Sequence, residues 1–221
     1  MGSFQAVLFD AGDTLIRLSG SGGALLAQAA AALDADADPE ELALVWRRVL
    51  DRSGTAEELA KGRDLSADRH REVWTALYTA AGCERVVPGL SAELYARTVD
   101  AASWEAFPDA VPVLRAVRER GLRVGVVSDT GFDLHPALGR TGLSPYLDAV
   151  VLSYQLGVCK PAPEPFRTAC ARLAVPPERA LMVGDNPLTD GGAVGAGLTT
   201  LLLPAPPPAG PRGLDRVLAL L

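Results

Sequence analysis

Asp10 stands in Phe9-Asp10-Ala11-Gly12-Asp13-Thr14-Leu15, directly after a short apolar run. Ser128, followed by Asp129, closes a second run in Val126-Val127-Ser128-Asp129. Lys160 lies in Gly157-Val158-Cys159-Lys160-Pro161-Ala162-Pro163-Glu164, and Asp185 opens Asp185-Asn186-Pro187-Leu188-Thr189-Asp190. Asp10, Asp185 and Asp190 offer hard oxygen ligands for Mg²⁺. The cation would offset their mutual repulsion and the charge of a phosphoryl group. Lys160 adds a compact positive charge and Ser128 a hydroxyl donor, leaving Asp10 to attack phosphorus as a carboxylate nucleophile. Lys61 and Lys160 are the two lysines in a chain otherwise served by arginine. A lysine kept in such a background suits a place where a compact ammonium is needed.

Taken singly, each residue has a bland reading. Asp10 is then a turn residue or a helix cap, Ser128 a cap, Lys160 a solvated surface lysine, and Asp185 and Asp190 loop caps. The weight lies in their order and in their shared position at strand ends.

Five apolar runs read as buried parallel strands: 4–9, 122–127, 149–152, 180–183 and 199–203. Helical patterns separate most of them. Asp109 reads as an N-cap for a helix running to Arg120, where Gly121 ends it, and 164–173 is another helix. Strands alternating with helices predict an α/β fold with a parallel sheet. Ligands in such sheets bind beyond the carboxyl ends of the strands, where Asp10, Ser128 and Asp185 all fall. The rhythm breaks after Phe9. Roughly a hundred residues follow with helical patterns at 24–33, 39–52, 66–81 and 91–102 and no convincing strand. They predict an inserted helical bundle. Ser19–Gly23 is its expected hinge. The proline-rich 204–211 separates the last strand from a short helix expected at 214–220.

The four motifs, in this order, resemble those of the haloacid dehalogenase superfamily, and the position of the insert resembles one capped branch of it. The resemblance spans nearly the whole core. It implies a Rossmann-like parallel-sheet core, residues 1–16 and 106–221, with an inserted α-helical cap, residues 17–105. It implies a hydrolase, with a small phosphorylated substrate and a covalent intermediate on Asp10. Ser128, Asp129 and Lys160 are then the phosphate-binding residues, with Asp10, Ser128 and Lys160 catalytic. Asp10, the Gly12 carbonyl, Asp185 and Asp190 are the implied Mg²⁺ site. One position departs from the family pattern. Its phosphatases carry a second aspartate two residues after the nucleophile as general acid and base, and here that position is Gly12. A positioned acid contributes roughly 10²–10⁴-fold.

Composition narrows the alternatives. The chain has 221 residues, 48% hydrophobic and 22% charged, with a net charge of −6. No basic run suggests nucleic acid or an anionic membrane surface. Without a visible signal peptide, and with Cys83, Cys159 and Cys170 reading as free thiols, a cytoplasmic location is expected. His70 and His135 read as surface or packing residues, and Trp46, Trp74 and Trp104 as insert core. Other functions stay open beside the phosphatase. A carbon–halogen hydrolase needs no metal. A carbon–phosphorus hydrolase would use Lys61 as a Schiff base. A non-catalytic phosphoryl-binding protein would fit the loss of the acid. Neither the substrate nor the oligomeric state is legible.

Overall fold

The structure, a computed structural model, describes residues 4–221. Among them the strands are β1 (Ala6–Phe9), β2 (Ile16–Leu18), β3 (Trp104–Ala106), β4 (Arg123–Ser128), β5 (Ala149–Leu152), β6 (Ala180–Gly184) and β7 (Thr199–Leu202). The main sheet runs β5-β4-β1-β6-β7, all parallel. β1 is central, and its four residues are fully buried. The chain builds outward from β1 to β4 and β5, then returns to the other side for β6 and β7. Such a reversal leaves a crevice at the strand ends beside β1.

Helices α7 (Ala110–Glu119), α8 (His135–Arg140), α9 (Ser153–Leu156) and α10 (Pro163–Leu173) belong to this core, after six earlier helices in the insert. Side chains alternate across the sheet. Val7, Phe9, Val126 and Val183 join Val113, Leu114 and Val117 of α7 on one face. Ala6, Leu8, Val127 and Met182 meet Phe166 and Leu173 of α10 on the other. The parallel α/β architecture expected from the apolar runs is therefore present.

The insert comprises α1 (Gly22–Ala32), α2 (Pro39–Ser53), α3 (Ala56–Leu59), α4 (Ala67–Ala81), α5 (Cys83–Val86) and α6 (Leu90–Val99). Local chemistry starts them. Ser21 Oγ accepts the Ala24 amide, Asp38 the Glu40 amide before Pro39, and Ser66 the Arg69 amide. Leu26, Val45, Leu77, Leu90 and Leu94 form an apolar centre distinct from those on the sheet.

Three expectations need correction. The stretch between Phe9 and Leu122 does contain strands. β2 and β3 pair antiparallel, Arg17 opposite Glu105, with a 2.8 Å ion pair from Arg17 Nε to Glu105 Oε1. Three residues are too few to show a period of two, and each strand exists only through its distant partner. The Ser19 amide extends this ladder to the Ser103 carbonyl at 2.7 Å, so the expected hinge begins inside a hydrogen-bonded stalk. Asp109 occupies the N-cap position of α7 without capping it. Its carboxylate instead accepts the amides of Arg212, Gly213 and Leu214 at 2.7–2.8 Å. The short last helix stands where it was expected and is of the 3-10 type, Leu214–Ala219. No helix among the described residues is long and apolar enough to cross a membrane.

Candidate active site

The Asp10 amide donates to the Val183 carbonyl at 2.8 Å, so its backbone still belongs to the sheet. The chain then folds tightly on itself. The amides of Leu15 and Ile16 donate to the Ala11 carbonyl, and the Asp13 amide donates to the Ile16 carbonyl. Asp13 adopts φ 54°, a left-handed conformation that aspartate tolerates better than most residues. This loop leaves the Asp10 carboxylate at the carboxyl edge of the central strand.

Lys160 joins the motifs. Its Nζ donates to Asp10 Oδ1 and Asp190 Oδ1, both at 2.6 Å, and its amide donates to Asp129 Oδ1 at 3.0 Å. Asp190 is fully buried, and its Oδ2 accepts the amides of Asp185 and Asn186 at 3.0 Å. A side chain at Gly184 would not fit, since its Cβ would lie 2.2 Å from Asp190 Oδ2. Gly192 plays the same part beneath Pro161, where a Cβ would meet the Pro161 carbonyl at 2.5 Å. Carboxylate oxygens of Asp10, Asp185 and Asp190 lie within 4.8 Å of one another. Ser128 ends β4 beside them, Asp129 follows it, and both line the same cleft. The structure thus brings every motif residue to one edge.

The electrostatics are those of a charge-dense, poorly solvated site. Burial pushes the Asp10 carboxyl up to about 7, against the opposing pull of Lys160. Burial also raises Asp129 to about 6. Asp185 is raised by burial, then by Asp13 and Asp190. Burial disfavours the Lys160 ammonium, yet Asp10, Asp190 and Asp129 together outweigh it and hold the lysine charged. Three clustered carboxylates facing one ammonium leave surplus negative charge. Hard oxygen donors with such a surplus suit a hard metal cation.

The site opens into a cleft of about 1250 Å³ between the sheet edge and the insert. Trp46, Trp74, Trp104 and Phe132 line it. The tryptophans therefore do more than fill a core: Trp46 and Trp74 pack on the insert centre and also face the cleft. The insert sits directly on the core. Ser153 Oγ of α9 donates to the Asp64 carbonyl at 2.7 Å. A Cβ on Gly131 would lie 2.1 Å from His70 Cβ, so glycine is what lets α4 approach. His70 is buried, with Nδ1 3.0 Å from the Tyr95 hydroxyl, and burial pushes its imidazole down to about 4. His135 lies on the surface beside Asp133.

Two residues near the site gave no sequence signal. Arg212 is buried, and it donates to the Asp13 carbonyl through Nε and to the Pro204 carbonyl through Nη2. It braces the loop 10–16 from a tail that reads as a spacer. Asp64, in the 3-10 turn Arg63–Leu65, lines the cleft from the insert side. Lys61 does not reach the cleft lining and is paired with Glu58 at 2.6 Å, which removes the support for a Schiff-base lysine. Burial pushes the Cys159 thiol up to about 11, so it is no activated nucleophile.

A family model for haloacid dehalogenase-like hydrolases matches residues 4–197. A glyceraldehyde 3-phosphate phosphatase of Methanopyrus kandleri is 32% identical over 205 residues, covering 89% of this chain and 82% of that protein. Haloacid dehalogenase-like hydrolase domain-containing protein 3 of Homo sapiens is 30% identical over 219 residues, covering 96% of this chain and 85% of that protein. A crystal structure of a dehalogenase superposes with a TM-score of 0.68 at 24% identity, covering 100% of this chain and 98% of that one. At that identity the likeness speaks for the fold alone.

Proposed function

Because the chain belongs to the haloacid dehalogenase-like hydrolases, we propose that it is a magnesium-dependent phosphatase of a small phosphorylated metabolite, with Asp10 as nucleophile. The observation that carries this reading is the set of three carboxylates within 4.8 Å of one another against a single buried ammonium. A metal-free carbon–halogen hydrolase has no use for that surplus charge. The relatives named as phosphatases point the same way.

Asp10, Asp185 and the Gly12 carbonyl would hold the cation, with Asp190 near by. When bound there, Mg²⁺ supplies positive charge to the phosphoryl oxygens and offsets the carboxylates. Lys160 holds Asp10 in place through Oδ1 and offers its charge to the phosphoryl group. The Ser128 hydroxyl donates to a phosphoryl oxygen. Asp129 serves the same group indirectly, since its Oδ1 fixes the Lys160 amide. Asp10 then attacks phosphorus, and the alcohol leaves as an aspartyl phosphate forms on Asp10. Water hydrolyses that intermediate in a second step. The helical insert acts as a cap, residues 17–105 over a core of 1–16 and 106–221. It excludes water while seated and opens for exchange.

The test is a screen of phosphate monoesters with Mg²⁺, with chelator, and with Asp185→Ala. Turnover that needs Mg²⁺ and falls in Asp185→Ala is expected. Full hydrolysis without any divalent metal would sink the proposal and revive the carbon–halogen reading.

A further inference from the structure

An alkyl phosphate must expel an alkoxide, which is too basic to depart unprotonated. Its hydrolysis calls for an acid within reach of the bridging oxygen. Nucleophile and leaving oxygen lie roughly in line through phosphorus. Asp10 rises from the core side of the cleft, at the end of β1. The bridging oxygen of a bound substrate therefore faces the insert.

Most acids on the core side are engaged elsewhere; Asp13 also lines the cleft, under the charges of Arg212 and Arg17 and near Asp185. Gly12 carries no side chain, although an added Cβ would meet nothing within 4 Å. Asp10 and Asp190 share Lys160, and Asp185 stands with them in the proposed cation site. Glu105 is paired with Arg17 in the stalk. Asp129 lies beside Ser128 and is tied to the Lys160 amide.

On the insert side, Asp64 lines the cleft from the turn Arg63–Leu65. The turn is pinned to the core by Ser153 Oγ at 2.7 Å. Among the described residues the Asp64 carboxylate receives one hydrogen bond, a long one of 3.4 Å from Arg63 Nε. Its Oδ1 stands 3.6 Å from His70 Nε2, beyond hydrogen-bond distance. The carboxyl therefore has capacity to spare, and its side chain keeps about a fifth of its surface exposed. The charge of Lys160 reaches Asp64, and that of Asp64 reaches Asp129 and Cys159. Asp64 thus overlooks the same end of the sheet. Burial, only partly offset by Arg63, favours its protonated form.

The geometry points to Asp64 as the proton donor to the leaving group, a catalytic acid supplied by the insert and not by the nucleophile loop. This rests on the phosphatase reading above. As Asp10 bonds to phosphorus, the bond from phosphorus to the bridging oxygen breaks, and the Asp64 proton passes to that oxygen. In the second half-reaction the Asp64 carboxylate takes a proton from the attacking water. The bond from phosphorus to Asp10 then breaks, freeing phosphate and the Asp10 carboxylate. Because the acid rides on the insert, protonation of the leaving group is available only while the insert is seated on Gly131 and Ser153.

The experiment compares glycerol phosphate with para-nitrophenyl phosphate, whose leaving group hardly needs a proton. Asp64→Asn should lower kcat/KM for the alkyl ester by roughly 100-fold or more, and for the aryl ester by less than about tenfold. Adding Gly12→Asp to Asp64→Asn should restore at least about a tenth of the alkyl loss, since the open space at Gly12 accepts a carboxyl. Asp64→Glu, which keeps an acid, should hold the alkyl-to-aryl ratio closer to wild type and guards against an Asn variant that fails to fold. Equal losses on both esters would overturn the proposal in favour of a structural role. Alkyl turnover that survives Asp64→Asn, or a selective alkyl loss in Asp129→Asn or Asp13→Asn instead, would overturn it while leaving the phosphatase reading intact. No turnover of either ester by the wild type with Mg²⁺ would overturn both.

Discussion

On the core side of the cleft, Asp10, Asp190 and Lys160 are buried and ion-paired at the carboxyl edge of the sheet. On the insert side, Trp46, Trp74 and a neutral His70 form an apolar surface, with Asp64 its one cleft-lining carboxylate outside the stalk. The core fixes each charged group through backbone that belongs to the sheet or to glycine-permitted turns. The insert is built around its own apolar centre and meets the core through a few close contacts. On the proposed reading the difference separates two jobs: the core serves one reaction on a phosphoryl group, while the insert meets the organic group that the phosphate carries. Core substitutions should therefore act on all substrates alike, and insert substitutions should discriminate among them.

The sharpest break is Asp10→Asn. It removes the proposed nucleophile and should lower turnover of alkyl and aryl phosphates alike, by about 10⁴-fold or more. Initial rates on both esters measure it, and a surviving preference for one ester would blur the division between the two sides.

Next comes the neutral imidazole of the insert. His70 faces Asp64, Arg63 and Tyr95 on the insert and Gly131 and Phe132 on the core. Burial, then Arg63, lowers its folded pKa to about 4 from 6.5. The unfolded chain thus takes up this proton first as pH falls. The contribution of neutral His70 to stability is present above about pH 6.5 and is lost progressively toward pH 4, by on the order of 3 kcal/mol. Stabilities of wild type and His70→Gln, taken from urea titrations at steps across that window, should diverge by this amount. Parallel curves would mean that His70 is not held neutral.

Arg212→Ala tests the bracing of the core site. It leaves the Asp13 and Pro204 carbonyls without their buried donor. A loss of about 2 kcal/mol is expected, roughly 4–8 °C in Tm for a chain of this size. An unchanged melting curve would show that the loop 10–16 stands without the tail.

Ser153→Ala is the mildest. It removes the hydrogen bond that ties the Asp64 turn to α9, worth about 1 kcal/mol, together with the acceptor of the Thr130 amide. It should raise KM or lower alkyl turnover by less than about tenfold, while aryl kcat changes little. A larger aryl than alkyl effect would argue against separate jobs for the two sides.

Much of the fold was legible. The five sheet strands and the helices fall within a residue or two of their patterns, except the longer expected 91–102, where α6 spans Leu90–Val99. The motif residues were legible as a set because each follows a strand that announces itself. β2 and β3 were not, because three residues carry no usable period. Asp109 was misassigned because an aspartate before a helix has the same local signature whether it caps that helix or another segment.

Sequence alone determined the α/β class and which residues stand at the strand ends, since apolar periodicity and turn chemistry are local properties of the chain. It also showed that position 12 carries no carboxyl. Only the tertiary structure decided that Lys160 lies between Asp10 and Asp190, partners 150 and 30 residues away. The same holds for Arg212 beneath a loop 199 residues earlier and for Asp64 across the cleft from Asp10. Such contacts join surfaces brought together by packing, and the favourable energy that selects them comes from burial and charge in the folded state. No neighbouring residue in the chain records them.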